Sequence, residues 1–311
     1  MRSSAGERAS RLTTASGRDV GLAALAAFAF GCTIIFQRAV ARDGLHASVA
    51  LGVRFAFAGA LLLAVLAVSR RPLLPPRGER AAAFALGCLL YALESTFFYM
   101  GLERGTAAAV ALIFYAYPAV VAAVEAVLRR TTVGPRLFAA LALAIGGSAF
   151  VALGGGDVAI TATGVVCVIG SIIAFSTYVL VGDRVLVRTD PLTAAAWTAL
   201  GASAGVTAGG AVGGDLAAPS GGALAALLAN GVATAAAFTL FFVVLGRIGP
   251  TRTAIVMAME AVAGVVLAAV FLDEAVKGIV VLGGAAVLTG AVLAASVTPG
   301  RVEAMESASP P

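Results

Sequence analysis

The chain has 311 residues, of which 60% are apolar and only 12% charged, with a mean hydropathy of +1.01. A soluble globular protein of this length needs far more polar surface, so composition excludes that class and points to many membrane crossings. The net charge of +5 does not imply a nucleic-acid partner, because the basic residues are spread between apolar runs and gather on no single tail or face.

Residues 1–19 are polar, carry four arginines and lack a short apolar core with a cleavage site. They predict a cytoplasmic tail leading into an uncleaved first helix. Ten stretches then approach the roughly 20 apolar residues a crossing needs. They are 20–36, 46–69, 81–102, 106–128, 137–153, 163–181, 191–213, 224–245, 251–271 and 278–296, and a second tail follows from 298.

Few charges lie inside these stretches, and each has more than one reading. The second stretch holds Arg54, either a counter-charge that fixes helix packing or a clamp for a substrate carboxylate or phosphate. The third brings Tyr91, Glu94 and Phe98 onto one face. The fourth carries Tyr115 and Tyr117 around Pro118, whose missing amide hydrogen leaves the Phe114 carbonyl without its helical donor and predicts a kink. Glu125, toward the end of that stretch, can pair with Arg129 four positions on. Glu260 lies near the middle of the ninth. Ionisable groups at that depth face the bundle interior or a wet cavity, so Glu94 and Glu260 are candidates for a substrate or proton site. A buried pairing with Arg54 is the plainer alternative.

Small and polar residues fill out the pattern. Gly201, Gly205, Gly209 and Gly213 form a ladder at four-residue spacing, expected either to pack tightly or to slide. Gly146-Gly147 and Gly283-Gly284 invite the same readings, together with a contact between subunits. Ser171, Ser176, Tyr178 and Thr33 carry hydroxyls that often do no more than bond backbone carbonyls. Cys32, Cys88 and Cys167 all fall in apolar stretches, where they read as small apolar side chains. His46 has no ligand cluster around it, and no P-loop or GxSxG motif occurs. Neither an enzyme nor a cofactor is expected.

A constant offset of 143 brings the two halves into register. Gly21 meets Gly164, Thr33 meets Ser176, Arg54 meets Trp197, Arg104 meets Arg247 and Gly147 meets Gly290. Tyr117-Pro118 meets Glu260-Ala261. Five crossings per copy make the second copy enter the membrane inverted, which places a binding site at the repeat interface near the midplane. The Trp197 indole would then face Arg54 across an asymmetric cavity. With the N-terminus inside, 16 of the 21 lysines and arginines fall in inner segments and four in outer ones, with Arg54 within a span. That bias predicts both termini in the cytoplasm.

The segments FFYMGLERGTAAAVALIFYAYPAV and TAIVMAMEAVAGVVLAAVFLDEAV, with the arginine of GVRFAFAG, resemble the drug/metabolite transporter superfamily, specifically its EamA-type members. The likeness runs from about residue 20 to 297. It implies export or exchange of small metabolites through a central cavity lined by both repeats. Two departures stand out: Ala261 replaces a family proline, and Arg129-Arg130 stands where a Leu-Gly-Glu-like end is usual. The second copy does end in Leu272-Asp273-Glu274.

The combined expectation is an all-α membrane protein of ten transmembrane helices, arranged as two inverted five-helix repeats over 20–153 and 163–297. Its function would be secondary transport of a small amino acid-like or drug-like solute. Its partners would be that solute, the lipid bilayer, protons and a second copy of the chain. A receptor-like protein on the same scaffold and a membrane-embedded lipid enzyme are the alternatives.

Overall fold

The computed structural model describes residues 17–41, 45–129, 133–154, 159–213, 221–272 and 277–296. Most of both tails, together with Asp273 and Glu274 of the second motif, lie outside them. Ten helices and no strand occur among the described residues, apart from a single bridge between Gly105 and Ile160. In chain order they are α1 (Gly17–Ala41), α2 (Ala47–Val68), α3 (Arg80–Leu102), α4 (Ala107–Phe114, then Tyr117–Arg129), α5 (Pro135–Gly154), α6 (Ala162–Val185), α7 (Pro191–Gly213), α8 (Gly221–Ile248), α9 (Pro250–Met257, then Met259–Leu272) and α10 (Gly278–Ser296).

Seven of them are long and apolar enough to cross a membrane: α2, α3, α4, α5, α6, α8 and α9. In α1 and α10 the apolar parts are shorter, Gly21–Thr33 and Gly278–Ala294. Helix α7 has the length, at 23 residues, but its alanines, glycines and threonines dilute its hydropathy. By length and apolarity alone, the ten expected crossings therefore reduce to seven.

Turn chemistry sets the helix starts. Thr106 and Thr161 cap α4 and α6 by accepting from the amides of Ala109 and Gly164, and His46 caps α2 through Ser48. Between α8 and α9, Gly249 takes φ +78°, which favours glycine, and Pro250 opens α9 with a pre-set φ.

The most extensive packing pairs one helix from each half: α5 with α10, α2 with α7, α1 with α8 and α3 with α6. The halves are thus interleaved and share one core. Glycines settle their relation. A side chain at Gly147 would meet Gly283 and Val287, and one at Gly290 would meet Ala140 and Ala144. Adding 143 to 140 and 144 gives 283 and 287, so the two contact sets are copies of each other. The register is antiparallel, which places a pseudo-two-fold axis across α5 and α10. Gly147 and Gly283 are thereby engaged within one chain, while a side chain at Gly146 would meet nothing within 4 Å.

The glycine ladder of α7 behaves unevenly. Gly201 and Gly205 press on the α3 backbone at Phe84 and Cys88, and Gly87 of α3 presses back on Thr198. A side chain at Gly209 would meet nothing within 4 Å, so the ladder is not one uniform packing stripe. Where this crossing is tightest, Leu86–Tyr91 of α3 widen into a π-helical turn, a local form frequent at functional sites. Nothing in the residue pattern foretells that turn. Gly201→Leu is expected to destabilise the purified protein by about 1–3 kcal/mol, as overpacking does. Gly209→Leu should stay within about 0.5 kcal/mol. Thermal melts of the two variants give the comparison, and equal losses would refute the backbone contact.

Candidate functional site

Two helices break in mid-course. In α4, Pro118 offers no amide to Phe114, and the chain closes two tight turns instead, Ala116 N–H to the Ile113 carbonyl and Ala119 N–H to the Ala116 carbonyl. In α9, Ala258 donates to Ile255 and Ala261 to Ala258, the same pair of turns one residue earlier than the 143 offset would place them. Helix α9 has no proline here, so the break does not depend on one. Its orphaned carbonyl is Ala254, because the natural donor, the amide of Ala258, has turned to Ile255. The Tyr117 hydroxyl supplies the missing bond at 3.0 Å, from the break of the opposite repeat. Tyr117 is therefore bonded to backbone, and Pro118 lies in the first turn of the second piece of α4.

Around these breaks the predicted acidic and aromatic residues converge. Glu94 follows the π-turn of α3, is 7% exposed, and accepts from Ser95 Oγ at 3.0 Å and from Ser171 Oγ of α6 at 3.3 Å. Glu260 is half-buried in the first turn after the α9 break. Arg54 of α2 is 5% exposed and lies within electrostatic reach of Glu94, Glu260 and Tyr91. Its guanidinium carbon stands 4.3 Å from the Phe55 ring centroid, while Nε and Nη1 have no hydrogen-bond partner. Among the described residues Arg54 forms no ion pair, so the direct pairing with a glutamate weighed from the sequence is absent.

Aromatic rings fill the space between. Tyr91 meets Phe55 at 5.5 Å, Tyr178 at 5.2 Å and Phe238 at 4.8 Å between centroids. The chain of rings continues through Phe241 and Phe175 to Tyr117 and Phe114, with Tyr115 at its edge. Edge-to-face pairs of this kind contribute about 0.5–1.5 kcal/mol each beyond their buried area. Five helices of both repeats supply these rings: α2, α3, α4, α6 and α8. The phenylalanines were not foreseen as site residues, because nothing in an apolar stretch separates a core-facing ring from a lipid-facing one.

Other expectations resolve differently. Trp197 donates its indole N–H to the Leu73 carbonyl at 2.8 Å, outside the cluster, so it does not face Arg54 across a cavity. The repeat offset overlooked the loop 69–79, which lies against α7 and takes the indole. Thr33 bonds the Phe30 carbonyl, as a membrane hydroxyl commonly does, whereas Ser176 Oγ is buried without a partner. Glu125 pairs with Arg129 at 2.7 Å and also accepts from the Thr251 amide at 3.0 Å and from its hydroxyl, capping the start of α9.

That contact belongs to a wider asymmetry. Arg129 reaches Asp183 of α6 at 3.6 Å, Arg247 of α8 meets Asp19 of α1 at 2.9 Å, and Arg188 meets Glu79 at 3.3 Å. All of these lie at the end of the bundle where α1 begins. At the opposite end the ion pair among the described residues is Glu103 with its neighbour Arg104.

The sequence profile of the EamA-like transporter family matches residues 19–153 and again 162–296. A curated relative from Pseudomonas aeruginosa, "Uncharacterized protein PA1977", is 32% identical over 180 residues, which is 58% of this chain. This match spans 60% of that relative's length, less than two thirds of it. A solved crystal structure superposes with a TM-score of 0.75 at 16% identity, covering 89% of this chain and 97% of its own, a likeness of fold alone. Tyr117→Phe should lower stability by about 1 kcal/mol, the net value of one such bond. Hydrogen exchange at the α9 break would rise with it, and unchanged exchange there would deny the bond its role.

Proposed function

The chain belongs to the EamA-like transporter family, a branch of the drug/metabolite transporter superfamily, and we propose that it is a ten-crossing secondary carrier working by alternating access. The supporting observation is the placement of two helix breaks, at corresponding points of two antiparallel repeats, beside a buried acidic and aromatic cluster. A broken helix inside a bilayer is tolerated only where protein or a water-filled cavity serves its backbone groups, and carriers place their sites there. Helices α1, α7 and α10 complete the ten crossings because each is packed against a partner from the other repeat that is itself long and apolar enough to cross.

In this reading the protein is a multi-pass membrane protein of the cell membrane with both termini cytoplasmic. The end rich in ion pairs is then the inner end. Breaking those pairs opens the centre inward, and reforming them opens it outward. The solute is a small amino acid-like or drug-like metabolite, moved outward. Glu94, Glu260 and the hydroxyls of Tyr91, Tyr115 and Tyr117 form its polar surround, Arg54 is the cation among them, and the rings receive its apolar part. No step of this cycle calls for covalent chemistry, so the protein acts as a carrier and not as an enzyme.

Protons are the coupling ion. Glu94 and Glu260 are acids close enough to interact, so the charge of one bears on the protonation of the other. A solute cation binding beside them displaces protons, and a proton gradient directed inward then drives efflux. Proteoliposomes with and without an imposed pH gradient test this with a solute selected by thermal-shift screening of amino acids, nucleosides and cationic drugs. Glu260→Gln is expected to remove most of the gradient-driven flux, by about tenfold or more, a loss of about 1.4 kcal/mol or more in coupling. Flux indifferent to the gradient, with unaltered Glu260→Gln kinetics, would rule proton coupling out.

A further inference from the structure

Arg54 is the one arginine or lysine of the chain placed in mid-span, and it is left with idle donors in a place where idle donors are costly. A buried guanidinium is stable only when its charge and its hydrogen bonds are both answered. The Phe55 face answers part of the charge. Neither nearby carboxylate answers the hydrogen bonds: Glu94 accepts from two serine hydroxyls, and among the described residues neither it nor Glu260 forms an ion pair with Arg54.

The backbone holds Arg54 in this position. Gly231 of α8 lies against the Arg54 carbonyl and the Phe57 ring, close enough that a side chain at 231 would displace them. Phe55, the residue after Arg54, is locked at 0% exposure between Tyr91 and Phe238. The repeat offers no second cation, because Trp197 occupies the matching position and is bound to the loop at Leu73. The result is one rigidly seated, planar donor fork inside a mostly aromatic surround.

We infer that Arg54 is the oxyanion-recognising group of the central site, so that the transported solute carries a carboxylate or a phosphate which docks on Nε and Nη1. This rests on the carrier reading above and narrows its substrate class. The guanidinium fork suits a planar carboxylate edge or two phosphate oxygens. The rings of Tyr91, Phe238 and Tyr178 then cover the apolar part of the same solute. Glu94 and Glu260 stay available for protons or for a cationic group elsewhere on it.

Purified full-length protein in detergent, titrated with sodium benzoate, phenyl phosphate, benzylamine and benzyl alcohol, tests the inference by thermal shift. Benzoate or phenyl phosphate should raise the melting temperature, the stronger of the two identifying the oxyanion. Benzyl alcohol should not. Arg54→Gln should weaken that anion roughly tenfold to a hundredfold, the range for losing a charge-assisted partner, while Lys277→Gln leaves it unchanged. Stabilisation by benzylamine alone, or an anion shift that survives Arg54→Gln, overturns the inference.

A second measurement needs no variant. Phenylglyoxal modifies water-accessible arginines, and peptide mass spectrometry locates the sites. Arg54 should be modified in the free protein and protected by the bound anion. Modification unaffected by anion, or no modification in either condition, overturns the assignment. Vesicle flux of a cationic solute that persists in Arg54→Gln would leave the carrier standing and remove only this inference.

Discussion

A backbone carbonyl inside a bilayer has no water to turn to, and this constraint governs the centre of the protein. Two helices stop and restart there, and each break leaves carbonyls without their usual donors. In α9 the vacancy at Ala254 is filled by the Tyr117 hydroxyl, carried by the break of the other repeat. The two interruptions are therefore one unit. A displacement of the first half relative to the second must break, keep or carry along that bond. The acidic and aromatic residues gathered around it would register the movement directly.

Much of the scaffold was legible from the sequence. A single offset of 143 aligned the halves, and the glycines at 147 and 290 that it paired also make corresponding contacts in three dimensions. Glu94, Glu260, Tyr91, Tyr115, Tyr117 and Arg54 stood out because polar groups are rare and expensive inside apolar stretches. Their convergence, with Arg54 unpaired, is a matter of helix rotation that spacing alone does not fix. Offset reasoning failed at Trp197, since the loop 69–79 between α2 and α3 takes the indole at the Leu73 carbonyl. It also underrated the second break, because the mark sought there was a proline and the actual support is a tyrosine 137 residues away. The π-turn in α3 coincides with the close backbone contact to α7, a tertiary feature with no local signature.

The distribution of ion pairs gives the symmetric fold a direction. Exposed pairs contribute little each, about 0–1 kcal/mol. Several together, joining α1 to α8 and α4 to α6 and α9, still bias one end of the bundle toward closure. At the positions matching Thr251, Glu125 and Arg129 the other end has Ala108, Ala268 and Leu272, which cannot form such links, and Arg104, the match of Arg247, pairs with its own neighbour Glu103. Two repeats that could exchange conformations freely are thus made unequal by a few side chains. That inequality is the simplest physical source of a preferred resting state.

The most direct test of the account is whether the centre between the two breaks sees water from both faces of the membrane. Single cysteines at positions 94 and 260, in a chain with Cys32, Cys88 and Cys167 replaced, can be probed in oriented vesicles with a small membrane-impermeant thiol reagent added to either side. The account predicts reaction at both positions from both sides, with an added solute slowing it. Reaction confined to lipid-soluble reagents, or to one side under every condition, would contradict it.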